Sequence, residues 1–328
     1  MKHVSLELGS GGKMMRDFIA REIVGILGNP LLDSMGDAVH LPENIAFTTD
    51  SYVVSPIFFP GGDIGTLSVF GTVNDLVVSG AHPLYLSLGL ILEEGLPWEE
   101  LQRVLRSIKQ SADRADVAIT TGDTKVVSRG QGDKIFINTA GIGKIIARPS
   151  PQSIRAGDKI ILTGTLGEHS LAVMLARGDF GLESRAESDC APLTFLLPFW
   201  EKGTTWMRDV TRGGLATVMA ELAETLNYSV ILEEEDIPLS PAVIGAAELL
   251  GIDPLYLACE GRAAMVCPGE IADQLTAELR NHPQGREAAV IGCVDDKKGK
   301  PGEVLLRTVT GGLRLLEPLT SELLPRIC

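Results

Sequence analysis

The stretch from Thr48 to Ala81, TTDSYVVSPIFFPGGDIGTLSVFGTVNDLVVSGA, constrains the fold more than any other part of the chain. The apolar Ile45-Ala46-Phe47 leading into it reads as a buried strand with Asp50 at its C-terminal end. Pro60-Gly61-Gly62 is too permissive in backbone to continue any helix, so it is a loop. From Thr66 onward, Leu67, Phe70, Val73, Val77 and Val78 recur at helical spacing and form one apolar face. Asn74 and Asp75 ride on that helix, with Asp75 free to point elsewhere. A strand-end carboxylate and a helix carboxylate joined by a glycine loop suit a hard cation such as Mg²⁺, which takes oxygen ligands and nucleotide phosphates. The plainer reading makes Asp50 a turn cap and Asp75 a solvated acid.

The same logic recurs along the chain. Gly9-Ser10-Gly11-Gly12-Lys13 runs into a helical pattern, where backbone N–H groups and Lys13 can meet phosphate. It lacks the Walker A spacing, and a simple N-terminal turn explains it equally. Val117 to Thr121 reads as a strand, followed by Gly122-Asp123-Thr124-Lys125, a second strand-end carboxylate with a cation beside it. Asp209-Val210-Thr211-Arg212-Gly213-Gly214 opens a helix: Arg212 and the glycine amides suit an anion, and Asp209 its metal or a proton. An ordinary helix cap accounts for the acid or hydroxyl but not for Arg-Gly-Gly. Glu260, before Gly261 and a strand from Ala263, is a candidate general base or an exposed turn acid.

At 328 residues the chain has room for two cores, and Arg148-Pro149-Ser150-Pro151 is the best boundary between them. A net charge of −14 argues against a nucleic-acid surface. No apolar run approaches the roughly 18 residues of a membrane span, and no secretory signal is evident, so the expected location is the cytoplasm. Five cysteines without a CxxC pair give neither a disulfide framework nor a standard zinc site, and the five histidines are scattered. Cys328 is different: it is the last residue, on a tail whose final eight residues span roughly 26–29 Å when extended.

FTTDSYVVSPIFFPGGDIGTLSVFGTVNDL, GDTKVV, RDVTRGGLA, CEGR and the terminal PRIC occur in order across the whole chain. Together they resemble the HypE family of hydrogenase-maturation proteins; one departure is Leu8, where that family often has histidine. The resemblance implies a PurM-like two-domain fold combining α/β and α+β architecture. An N-terminal nucleotide-binding domain (1–148) would form a homodimer through its sheet, a C-terminal domain (149–318) would follow, and a mobile tail (319–328) would end in the acceptor cysteine. It implies ATP and Mg²⁺ as cofactors. Nucleotide would lie near Gly11, Gly12, Lys13, Asp50, Asn74, Asp75, Asp123, Thr124, Arg212, Gly213 and Gly214, with metal on Asp50, Asp75 and Asp123. The implied reaction is ATP-dependent dehydration of a carboxamide carried on the Cys328 thiol to a thiocyanate. HypF would supply the carboxamide and a HypC–HypD scaffold would receive the cyano group. Glu260 with Lys125 is the expected base, and Asp209 an alternative base or ligand. The rivals are another PurM-like synthetase, such as a selenophosphate synthetase, and a thiol carrier without chemistry. No cysteine precedes Cys190, which disfavours the former.

Overall fold

The computed structural model describes residues 3–9, 12–178, 181, 185–320, 324 and 326–328. The chain opens with α1 (Lys13–Phe18) and α2 (Gly25–Leu27), linked by a π-helical stretch. The strands β1 (Val39–Leu41) and β2 (Ile45–Tyr52) follow, then a small ribbon of β3 (Phe58–Phe59) and β4 (Gly62–Asp63) around the proline-glycine loop. Helix α3 (Ile64–Val78) starts where the Asp63 carboxylate accepts the Thr66 N–H, an N-cap fixed by local sequence. Strand β5 (Ala81–Glu93), helix α4 (Trp98–Ala115), and strands β6 (Ala118–Val127) and β7 (Ile135–Ile145) complete the first half. Their sheet runs β1-β2-β7-β5-β6, antiparallel except for the parallel β5–β6 pair.

The second half contains β8 (Lys159–Leu162), α5 (Glu168–Arg177), α6 (Leu197–Glu201), β9 (Trp206–Asp209), α7 (Gly214–Glu224) and β10 (Ser229–Glu233). After these come α8 (Pro241–Leu250), β11 (Ala263–Cys267), α9 (Ala272–Leu279), β12 (Ala289–Asp295), β13 (Val304–Arg307) and β14 (Leu313–Leu316). The sheet order is β14-β13-β10-β12-β8-β11-β9. Two main sheets, each with helices against it, give the mixed α/β and α+β architecture expected above.

Helix α3 departs from the single apolar face read in its sequence. Nearly every residue from Ile64 to Val78 is buried, with Thr66 and Asp75 the partial exceptions. One face packs on β2, β7 and β5, and another meets β9 of the second half. A helix apolar all round belongs between layers. A single core cluster accordingly runs from Tyr52 and Phe70 through to Ile161, Met207 and Met265. The other face of the first sheet stays open: Phe47, Ile142 and Tyr85 stand in one register row across β2, β7 and β5, each more than a third exposed. Among the described residues, no helix is long and apolar enough to cross a membrane.

Candidate active site

The junction of the two halves gathers carboxylates from three elements. Asp75 comes from α3, Asp209 from the end of β9, and Asp37 from the loop before β1; an oxygen of each lies within 4.8 Å of the others. Thr48, pointing inward from β2, places its Oγ1 2.6 Å from the Asp37 carbonyl oxygen and 3.0 Å from Asp75 Oδ2. Arg208 is the local counter-charge, 3.0 Å from Asp37 and 3.3 Å from Glu221. Burial, reinforced by the charge of Asp37, pushes the Asp209 carboxyl up to about 7. Asp75 is also held well above the usual carboxylate range, first by burial and then by Asp209, Asp37 and Asp50. Like charges forced together out of water resist ionisation, and a hard cation with oxygen ligands removes that conflict. The donor set therefore fits a magnesium-type ion.

Arg212 links this cluster to the tail. Its Nη2 stands 3.6 Å from Asp50 Oδ1. Negative charge at Cys328, then Asp50 and Glu260, favours its protonated form. Gly213 and Gly214 follow in the left-handed region, at φ 78° and 61°, and turn the chain into the N-terminus of α7. A Cβ on Gly214 would stand 2.4 Å from the Leu255 carbonyl oxygen, so the approach also excludes larger residues. Beside them lies a cavity of about 170 Å³ lined by Ser51, Val53, Arg212, Gly213, Leu319 and Cys328, among others.

The described end of the tail is seated in this cleft. Val53 N–H donates to a Cys328 carboxylate oxygen (3.1 Å) and Ser55 N–H to the Arg326 carbonyl (3.2 Å). This short antiparallel pairing extends the line of β2. Arg177 donates from Nη2 to the same Arg326 carbonyl and from Nε to that of Ser55, each at 2.7 Å. The Arg326 side chain donates to the Val53 carbonyl at 2.8 Å and pairs with Asp133 at 2.7 Å. Arg326 itself sits at φ 53°, a left-handed backbone that few non-glycine residues adopt. His169 takes the remaining carbonyl, Ile327 O, at 2.6 Å.

Glu260 is buried beside Arg212. Burial, then Asp209, Asp189 and Asp50, raises its carboxyl well above the ordinary range, with Arg212 opposing. It is not the exposed turn acid that its neighbours in sequence allow.

Several expected site residues lie elsewhere. Asp123 is not at a strand end, because β6 continues to Val127 as the sheet edge. Its register partner is Gly89, which pairs with Asn138, which pairs with Ser51. Three strand spacings of about 4.8 Å put Asp123 roughly 14 Å from β2 in its own chain, so Asp50, Asp75 and Asp123 form no single ligand set within one chain. Lys125 pairs with Asp123 at 2.8 Å instead of working beside Glu260, and Thr124 is exposed between them. The Asn74 amide is spent on structure: it donates to Ala191 and Glu260 carbonyls and accepts the Leu193 N–H. Lys13 N–H donates to the Leu319 carbonyl at 2.8 Å, and a Cβ on Gly12 would meet that oxygen at 2.2 Å. Gly12 and Lys13 thus seat the start of the tail by their backbone. Gly11 lies outside the described residues.

Asp37, His169 and Arg177 were not expected. Asp37 sits in an irregular segment with no periodic signal. His169 and Arg177 are brought to the tail by α5, a relation no local pattern carries.

The chain matches the models of the AIR synthase related protein N-terminal domain over residues 35–145 and C-terminal domain over residues 155–304. It is 43% identical to carbamoyl dehydratase HypE of Escherichia coli K12, covering 100% of both chains. A crystal structure of a HypE–HypF complex superposes with TM-score 0.87 at 38% identity, covering 92% of this chain and 99% of that one. The structure of hydrogenase maturation protein HypE in complex with ATP superposes with TM-score 0.82 at 43% identity, over 99% and 100% of the two chains.

Proposed function

The chain belongs to the HypE family of hydrogenase-maturation proteins, and on that footing we propose that it is an ATP-dependent carbamoyl dehydratase whose substrate group rides on Cys328. The observation that carries this reading is the seat of the C-terminus itself, beside Arg212 and the helix N-terminus that follows it. HypF loads the thiol with a carboxamide. The carboxamide oxygen accepts the γ-phosphoryl group of ATP with release of ADP and one N–H proton, and loss of the second N–H proton with departing phosphate yields the thiocyanate that supplies the cyanide ligand of a [NiFe]-hydrogenase.

An amide oxygen is a poor nucleophile, so positioning and charge neutralisation dominate. Arg212 and the amides at Gly213-Gly214 meet phosphate charge, and the clamp on residues 326–328 presents the thiol. Asp37, Asp75 and Asp209, with Asp50 beside them, are the residues of one chain that would hold Mg²⁺, in place of a single-chain set of Asp50, Asp75 and Asp123. When bound, the ion neutralises phosphate charge. Glu260 takes the proton. A HypC–HypD scaffold receives the cyano group, and the work is done in the cytoplasm. The domain limits we adopt are 1–148 and 149–318, with the tail from 319.

The decisive experiment is the intact mass of the C-terminal peptide after incubation with Mg²⁺, ATP, HypF and its carbamoyl-phosphate supply. A carbamoyl adduct on Cys328 that loses one water only with hydrolysable ATP supports the reading. An adduct that never dehydrates makes the chain a carrier. No adduct with ATP still consumed makes it a synthetase of a free metabolite.

Metal dependence should also appear in stability. The folded state raises Asp209 from 3.8 to about 7, so it binds that proton more tightly than the unfolded chain. Stability of the metal-free protein therefore falls as pH rises between those values. Mg²⁺ is expected to raise the melting temperature more at pH 8 than at pH 5. Asp37→Asn should shrink the Mg²⁺ shift; an undiminished shift in thermal melts rejects this ligand set.

We further infer a homodimer through the open face of the first sheet. The Phe47–Ile142–Tyr85 row is a contiguous apolar surface of the kind that marks an interface. Asp123, Thr124 and Lys125 would then reach nucleotide only across that interface. Phe47→Asp combined with Ile142→Asp is expected to convert a dimer to a monomer in sedimentation analysis. A wild-type protein that sediments as a monomer at micromolar concentration refutes the dimer.

A further inference from the structure

His169 is fully buried at the start of α5, its ring edge-on to Phe59 with centroids 5.3 Å apart. Both ring nitrogens are engaged: Nε2 lies 2.6 Å from the Ile327 carbonyl oxygen, and Nδ1 lies 2.9 Å from Ser188 Oγ. A carbonyl oxygen only accepts, so Nε2 carries the hydrogen. In the neutral ring Nδ1 then accepts, and the Ser188 hydroxyl must donate to it. Ser188 is itself pinned: its N–H donates to the Pro60 carbonyl at 2.8 Å, and its Oγ accepts the Cys190 N–H at 3.1 Å. Burial, the largest influence on the ring, lowers the His169 pKa and agrees with the neutral tautomer these bonds require.

The bond falls where it controls the reacting residue. The last three carbonyls of the tail take partners on two sides. Those of Arg326 and Cys328 face the Val53 and Ser55 amides, and that of Ile327 faces His169. The Ile327 carbonyl belongs to the peptide unit that ends at the Cys328 nitrogen. Holding its oxygen fixes the plane of the last peptide, and with it the direction in which the Cys328 side chain leaves the backbone.

We propose that His169 is a positioning residue for the dehydration: by donating its Nε2–H to the Ile327 carbonyl it orients the last peptide plane and aims the Cys328 side chain at the reacting site. This rests on the dehydratase reading above. A misplacement of about 1 Å can cost a reaction roughly a hundredfold, which sets the scale expected here.

The test compares His169→Asn with His169→Gln. Asparagine keeps a polar group near Nδ1 but cannot reach Ile327; glutamine carries its amide nitrogen out to the position of Nε2. Each protein is loaded with the carboxamide, loading is verified by mass, and the single-turnover dehydration rate is read at saturating Mg²⁺-ATP. The rate in His169→Asn is expected to fall about 10- to 100-fold with an unchanged KM for ATP, and His169→Gln is expected to recover most of it. Thermal melting checks that both variants fold. An unchanged rate in His169→Asn overturns the proposal, as does an equal loss in both variants or a rise in the KM for ATP that accounts for the loss. If loaded wild-type protein does not dehydrate at all, it is the dehydratase reading that fails.

Discussion

Replacing Cys328 by serine is expected to abolish the carbamoyl adduct and the thiocyanate while ATP still binds. A serine hydroxyl is essentially un-ionised at neutral pH, whereas a cysteine thiol is a few per cent thiolate and intrinsically far more nucleophilic, so the loss should be at least about a thousandfold. The fold should be untouched. The hydrogen bonds described above for the end of the tail run through the backbone of residues 326–328 and through the Arg326 side chain, and serine leaves both in place. Serine therefore keeps the clamp and removes the reacting atom. Mass spectrometry of the C-terminal peptide gives product, and nucleotide affinity is read separately by calorimetry. A serine variant that still consumes ATP in step with product formation would mean that the acceptor is not on this chain.

Glu260→Gln carries the second large effect. Glutamine is isosteric with the acid and keeps the main-chain bonds to Asn74, Asp189 and Ala191, which use only the backbone of Glu260. What disappears is a carboxylate made unusually basic by burial among other acids. Removing a positioned general base costs about 10²- to 10⁴-fold, here in the dehydration step with carbamoyl loading unaffected. The pH dependence gives a second reading. The base acts when ionised, and burial raises its pKa in the folded protein. The wild-type rate should thus climb with pH through a range above that of ordinary carboxylates. In Glu260→Gln that limb should be absent. Dehydration at the wild-type rate in this variant would remove Glu260 from the mechanism.

What the sequence could disclose follows from how locally each feature is determined. Helix α4 is legible because Pro97 precedes it and its apolar residues keep helical spacing; Asp209 to Gly214 is legible because an arginine and glycines at a helix start have few other uses. Asp123 misleads for a physical reason. A strand followed by glycine looks like a strand end, and only the sheet order reveals that β6 runs on as an exposed edge. Asn74 misleads similarly, since its amide is claimed by main chain 117 and 186 positions away in sequence. Asp37 was silent because an acid in an irregular loop has no pattern to break. Lone histidines are usually core residues, and His169 is indeed buried; its meaning lies in a carbonyl 158 positions away.

The left-handed backbone of Arg326 sets how long the seated state lasts. A non-glycine residue in that conformation costs about 1–2 kcal/mol. The Asp133 pair, the Arg177 donors and the Val53 and Ser55 bonds must outweigh that cost for the end of the chain to stay seated. An energy of this size shifts the seated-to-released ratio by roughly a factor of 5–30. A carrier arm that must visit a loading enzyme, its own cleft and an iron scaffold in turn is best served by a short dwell time at each stop. A residue able to relax on leaving the cleft would hasten departure without weakening any contact that aligns the arm while it is there.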